Sequence, residues 1–257
     1  MKELFSRYNI ELGSEQEDKL NGYYKLLVDW NSRINLTAIT DHHDVVVKHF
    51  LDSALIFSFT SCSDSCRIHE ISDNSDKDSI DQHFSDWIQK DHLKVLDVGS
   101  GAGFPGVVLA IFRPDWKITL LEPTLKRADF LKHITSRLSL DNVDVIRGRA
   151  EEYGHDPELR SSFDLVVSRA VAELRILLEY CMPFVSPEGY FVSYKGEHNN
   201  KELDFCEHAL NELSSRIIID AEYKLEDMDR MIYVFCPYEK ISDRYPRRNG
   251  IPSKRPL

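Results

Sequence analysis

The sequence predicts an α/β protein built on a mostly parallel sheet and preceded by a helical extension. Three observations carry that expectation. From Lys94 onward, short apolar strands alternate with segments of helical period. The first of these strands runs straight into a glycine-rich turn, and the segments before residue 60 space their apolar residues by three and four.

Taken in order, the stretch Leu20 to Ile39 sets Leu20, Tyr23, Tyr24, Leu27, Trp30 and Ile34 on one helical face, so these aromatics are read as packing residues. Ser14 with Glu17 three residues later forms a capping box for its start. Asn31, Ser32 and Asn35 compete for backbone hydrogen bonds and favour a break near its end. A second helix is expected over Val45 to Phe59, with Val46, His49, Phe50, Ser53 and Phe57 sharing a face. Residues 60–92 have another texture: SCSDSC and ISDNSDKDSIDQ isolate their apolar residues. Such a stretch buries too little surface to offset its ordering entropy, so an acidic insertion or mobile loop is expected, with Phe84, Trp87 and Ile88 restarting a short helix.

The domain then spans 93–239. KVLDVGSGAGFPG is a strand entering glycines and GVVLAIFRP a helix. KITLLEP, VDVIRG, FDLVVSRA and YFVSYKG read as further strands, with LKRADFLKHITSRLSL and RILLEYCMPFV as helices between them. Both faces of the sheet are thus covered, with right-handed crossovers. SRIIIDAEYKL and MIYVFCPYE close it as a final pair, bringing in an antiparallel strand. The ending 240–257 sets Lys240, Arg244, Arg247, Arg248, Lys254 and Arg255 against Asp243, and its three prolines predict an extended basic tail rather than a terminal helix.

Composition narrows the class. The chain has 257 residues, 42% of them hydrophobic, which excludes a collagen-like or wholly disordered protein. No apolar run approaches the roughly 18 residues of a membrane helix, and the first ten residues lack a signal-peptide core, so a soluble cytoplasmic protein is expected. Five cysteines, an odd number, fit reduced thiols rather than a disulfide framework. With a net charge of -11, any nucleic-acid partner must meet a locally basic face. Cys62, Cys66 and His69 lack a fourth ligand in their Ser- and Asp-rich setting, so no metal site is expected.

The turn reads Asp97, Gly99, Gly101, Gly103, Gly106, a spacing that permits positive φ and close approach of backbone to a ligand. It contains the dinucleotide fingerprint G-x-G-x-x-G. Asp97, however, suits a cationic ammonium or sulfonium ligand better than an anionic pyrophosphate. Glu122, ending the next strand, can accept from two ribose hydroxyls, and Ala150 with Glu151 after the third strand can bracket an adenine. The set suits S-adenosylmethionine. No G-K-S or G-K-T follows the glycines, which argues against a phosphate-loop enzyme.

The chain also resembles a known family, the bacterial small-subunit ribosomal RNA guanine-N7 methyltransferases, historically the glucose-inhibited division protein B family. The likeness rests on LLVDWNSRINLTAIT at 26–40, KHFLDS at 48–53, LDVGSGAGFPG at 96–106, LEPTLKRADFL at 121–131, GRAEE at 148–152, SRAVAEL at 168–174, YKG at 194–196 and YPRRNGIPSKRPL at 245–257. The chain departs from it in the long acidic stretch between KHFLDS and LKVLDVG. The resemblance implies a class I S-adenosylmethionine-dependent methyltransferase: a Rossmann-like, mostly parallel seven-stranded sheet with a terminal antiparallel strand and an N-terminal helical extension. It implies methylation of guanine N7 in the 530 loop of 16S ribosomal RNA, on the RNA itself or the small subunit; apart from the resemblance, a monomer is expected. Cofactor contacts carried over fall at Gly99, Phe104, Ala150, Glu151 and Arg169, beside Asp97, Gly101 and Glu122.

Guanine N7 carries a lone pair and no proton, so no general base is expected, and Arg169 and Lys195 are the positioning candidates. Lys126, Arg127, Lys195, Arg244, Arg247, Arg248, Lys254 and Arg255 are the expected RNA contacts. Arg169 also suits a salt bridge that holds its loop, and His49 with Asp52 can share a helix face without forming a catalytic pair. Two other readings stay open at this point: a class I enzyme for a small molecule, and a noncatalytic RNA- or ribosome-binding protein on the same scaffold.

Overall fold

The computed structural model describes residues 1–61, 66–68, 84–169, 171–196 and 202–257. Eight strands form one sheet: β1 (Cys66–Ile68), β2 (Lys94–Val98), β3 (Lys117–Glu122), β4 (Val143–Arg147), β5 (Phe163–Arg169), β6 (Val185–Gly196), β7 (Ser215–Leu225) and β8 (Met228–Pro237). Their order across the sheet is β1-β7-β8-β6-β5-β2-β3-β4. Strands β2 to β6 are mutually parallel, and β8 runs antiparallel between β6 and β7. The expected seven-stranded sheet with one reversed strand is therefore present, and β1 adds a short antiparallel edge to β7.

The central strands are continuous apolar runs because both faces are covered. Val95, Leu165 and Val192 face one core with the N-terminal helices and the helices Gly106–Phe112 and Leu125–Arg137. Leu96, Val166 and Phe191 face a second core with the helix Leu174–Cys181. Among the described residues no helix is long and apolar enough to cross a membrane.

The helix Ser14–Ile34 ends where its polar residues predict: Asn35 takes a left-handed conformation, and Asn31 Oδ1 accepts from the N–H groups of Leu36 and Thr37. Its start differs by one residue from the expected box. Gly13 N–H donates to Gln16 Oε1, while Ser14 Oγ accepts from Lys2. The second helical segment begins earlier than Val45, at His42, where Asp41 accepts from Asp44 N–H. It then widens into a π-helical turn over Val46–Leu51 before Asp52–Ala54 and a 3-10 turn Leu55–Ser61. Such widenings often re-aim side chains at sites, and this one delivers Lys48, His49 and Asp52 to the sheet edge.

Most of the acidic stretch 60–92, with Cys62 and His69, lies outside the described residues. The expected short helix is present at 84–88 and belongs to the core, since Phe84 and Trp87 pack edge-on against Tyr190 of β6.

The ending departs from the extended tail predicted. Ile241, Tyr245 and Pro252 are buried, residues Ile251–Lys254 form a helical turn, and Arg160 donates to the carbonyls of Ile241, Ser242 and Tyr245. The prolines shape a folded course here because fixed carbonyls and buried side chains hold it at successive points.

Candidate functional site

The glycine turn follows β2, with Gly99, Gly101 and Gly103 at φ +74°, +58° and +97°. Any side chain at Gly103 would meet Tyr23 Oη at 2.6 Å and Val107 Cγ2 at 2.7 Å, so packing as well as φ demands glycine there. A Cβ at Gly101 would have only Gly99 O within 4 Å, at 3.8 Å, so that backbone faces an open cleft. Glu122 holds the turn: Gly101 N–H donates to its Oε2 (2.9 Å) and Thr124 N–H to its Oε1 (2.8 Å).

Three neighbouring cavities open along this edge. One of about 340 Å³ is lined by Gly99, Gly101, Phe104, Glu122, Arg127 and Arg169. A second, about 250 Å³, is lined by Gly148, Ala150, Glu151 and Tyr180 and shares Gly99, Pro123 and Val171 with the first. Together they run along the C-terminal ends of β2, β3 and β4, where open α/β sheets bind nucleotides. The exposed glycine backbone, the Glu122 carboxylate and the elongated form fit an adenosyl ligand with an amino-acid end. A third cavity, about 510 Å³, sits between the helical extension and the ends of β5 and β6, and shares His49, Arg169 and Val171 with the first.

Arg169 stands in that shared wall. Its guanidinium donates to Asp52 Oδ2 (2.8 Å) and Lys48 O (3.1 Å), contacts His49 Nδ1 at 3.2 Å and lies over the Phe104 ring at 5.0 Å. Asp52 Oδ1 accepts from Tyr223 Oη (2.9 Å) and faces Arg230 at 3.6 Å. His49 stacks on Phe104 at 4.5 Å and meets Thr37 Oγ1 through Nε2 at 3.0 Å. Burial, then the charge of Arg169, pushes His49 down to about 3, so its imidazole is neutral at physiological pH.

The family description rRNA small subunit methyltransferase G matches residues 16–73 and 67–217 of this sequence. The chain belongs to that family. Among its relatives, Ribosomal RNA small subunit methyltransferase G of Acetivibrio thermocellus is 36% identical, covering 98% of this chain and 93% of its own. The protein of that name from Alkaliphilus oremlandii is 37% identical, covering 100% and 97%. Among solved structures, a mutant of MtNAS aligns at 13% identity over 87% of this chain and 75% of its own, with a TM-score of 0.51. A SAM dependent methyltransferase from Aquifex aeolicus aligns at 15% identity over 63% and 99%, with a TM-score of 0.45. The fold is that of the class I S-adenosylmethionine-dependent methyltransferases, as the resemblance implied.

In this methyltransferase G family member, Gly99, Gly101, Phe104, Glu122, Arg127, Ala150, Glu151 and Arg169 all line the two cofactor-sized cavities. Asp97 does not. It is 0% exposed beneath the turn, where Oδ2 accepts from Gly106 N–H (2.9 Å) and Oδ1 has no partner among the described residues. Its place is structural because β2 turns it under the glycines, and burial raises its carboxyl to about 7. Phe104 is buried under Tyr23, His49 and Arg169, so it supports Arg169 rather than offering an open stacking face.

Several expected RNA cations are paired with carboxylates of this chain. Lys195 is 4% exposed at its side chain, donating to Glu202 Oε2 and Ala172 O, each at 2.7 Å. Arg247 is bidentate to the fully buried Glu179, and Arg244 pairs with Glu212. Glu202 and Glu179 thus hold Lys195 and Arg247 in the fold, whereas Arg244 is 62% exposed and pairs at the surface. Lys126, Arg248, Lys254 and Arg255 are exposed. Sequence reasoning missed Val171, Tyr223, Arg230 and Glu202. The three-residue spacing of His49 and Asp52 was the one local signal that this wall existed.

Proposed function

We propose that the protein transfers the methyl group of S-adenosylmethionine to N7 of a guanine in the 530 loop of 16S ribosomal RNA, acting as a monomer in the cytoplasm. The observation that carries the reading is the adjacency of the cofactor cleft to a larger cavity across the wall of His49, Arg169 and Val171. The names of the relatives support the substrate class.

S-adenosylmethionine supplies an electrophilic methyl on a cationic sulfonium. Gly99 and Gly101 offer backbone to its amino-acid end, Glu122 accepts from the ribose, and Ala150 and Glu151 flank the adenine. N7 has no proton to lose, so the protein's task is alignment. The neutral His49 imidazole and the Asp52-paired Arg169 set the boundary across which the methyl passes. The acceptor base must leave its stack, which an RNA loop makes cheaper. Lys126, Arg127, Arg248, Lys254 and Arg255 supply phosphate contacts around the cleft.

The test is transfer of labelled methyl to small-subunit RNA lacking the modification, offered both protein-free and as intact subunits, with the product nucleoside identified and mapped. A single N7-methylguanosine in the 530 loop is expected. Turnover of free nucleosides alone would indicate a small-molecule enzyme, and RNA binding without product a scaffold.

A further inference from the structure

The 510 Å³ cavity lies within the roughly 300–1,000 Å³ range of small-ligand pockets. Its wall away from the cofactor cleft carries a polar group whose direction is fixed. Glu202 Oε2 accepts from Leu174 N–H (2.8 Å) and from Lys195 Nζ (2.7 Å). These two bonds leave Oε1 without a hydrogen bond among the described residues, on a side chain 21% exposed. The other carboxylates of the cavity are differently placed. Both Asp52 oxygens are taken, by Arg169 and Tyr223. Glu173, 38% exposed, is turned to Arg175.

We propose that this cavity receives the acceptor base and that Glu202 Oε1 accepts from the N1–H and exocyclic amine of guanine, which makes Glu202 the residue that selects guanine. The inference rests on the function proposed above. Guanine presents N7 and these donors on opposite edges. A base with N7 toward His49 and Arg169 therefore turns its donors toward wall that the cofactor cavity does not share. Adenine would bring the N1 lone pair to the same oxygen, a repulsion in place of a bond. A carboxylate held by two donors needs little reordering to read the base, and one left dry by the wrong base loses its hydration without replacement.

The experiment compares wild-type protein and Glu202→Gln on small-subunit RNA assembled by ligation with either guanosine or inosine at the accepting position. Inosine keeps N7 and N1–H but lacks the exocyclic amine. Wild-type protein is expected to favour guanosine by roughly 10- to 100-fold in kcat/KM, the range of a hydrogen bond to a charged acceptor. In Glu202→Gln, Leu174 N–H and Lys195 claim the amide oxygen, so the amide nitrogen faces the base, and the preference is expected to fall to about 1. Equal use of both RNAs by wild-type protein overturns the proposal without recourse to the variant, even if the variant does not fold. A folded variant that retains the preference overturns it as well. No transfer by wild-type protein to guanosine RNA, with cofactor binding intact, refutes the proposed function and this inference with it.

Discussion

Replacing Asp97 with Asn tests the reading of the carboxylate under the glycine turn. Asp97 is fully buried, with one oxygen on Gly106 N–H and the other unpartnered among the described residues. Its carboxyl rises from 3.8 to about 7, chiefly through burial. The folded state therefore holds this proton more tightly than the unfolded chain. The stabilisation is complete below about pH 4 and is lost as pH rises through 7. A rise of about 3 units corresponds to about 4 kcal/mol in total, of which about 2–3 kcal/mol falls between pH 5 and pH 8. Asn cannot ionise, so Asp97→Asn removes this slope while adding a pH-independent cost of about 1–2 kcal/mol for an unpaired buried amide donor. Urea unfolding of both proteins at pH 5, 6, 7 and 8 isolates the effect, because groups common to both cancel in the difference. By pH 5 wild type has already lost about 1–2 kcal/mol of this stabilisation, so the variant should be about as stable as wild type there and more stable by about 2–3 kcal/mol at pH 8. Parallel stability profiles, with a constant difference within about 0.5 kcal/mol, would refute the assignment.

Glu122→Gln keeps one acceptor for the turn but not two, and should weaken S-adenosylmethionine binding by roughly 10-fold or more in calorimetry while leaving RNA affinity unchanged. Arg169→Met should cost about 1–3 kcal/mol, because Asp52 Oδ2 loses its partner while Tyr223 and Arg230 still hold Oδ1. Arg169→Met combined with Asp52→Leu should be less destabilised than the sum of the singles, and urea unfolding of the cycle measures the coupling. Arg247→Ala should cost about 3–5 kcal/mol, because Glu179 is fully buried. Arg248→Ala with Lys254→Ala should leave the melting temperature unchanged and flatten the salt dependence of RNA binding, by a log–log slope of about 1.5 if both meet phosphates.

What the sequence made legible was what local pattern controls. The alternation of apolar runs and helical periods gives the strands and their cover, and Asn31 with Asn35 marks a helix end found at Ile34. The glycines and Glu122 are legible because a strand, a tight turn and a following acid lie within about one βαβ unit. Fates decided by distant partners were not legible. Arg247 and Arg248 are adjacent and alike, yet Glu179, 68 residues earlier in the chain, claims the first and leaves the second exposed. Lys195 reads as a surface cation at a strand end until Glu202 folds back over it. Asp97 looked like a ligand contact because it borders Gly99 by one residue, but strand alternation turns it away from the cleft.

The wall between the two cavities unites elements from both halves of the chain, and its electrostatics explain why a buried ion pair stands there. Such a pair contributes little net stability, since desolvating both ions offsets most of their attraction. What Arg169 and Asp52 provide is registry: one lies at the end of β5 and the other just past the π-helical turn, so their bond fixes the extension against the sheet edge. A sulfonium donor would bring its own positive charge to this wall. Asp52 is shared between Arg169 and Arg230, and His49 is held neutral by burial and by Arg169 itself, so the imidazole adds no further cation beside the donor. Phe104 is then the apolar floor on which His49 and Arg169 both rest. The helical extension is thus part of the site: without Lys48, His49 and Asp52, the Arg169 guanidinium would lose the hydrogen-bond partners it has among the described residues.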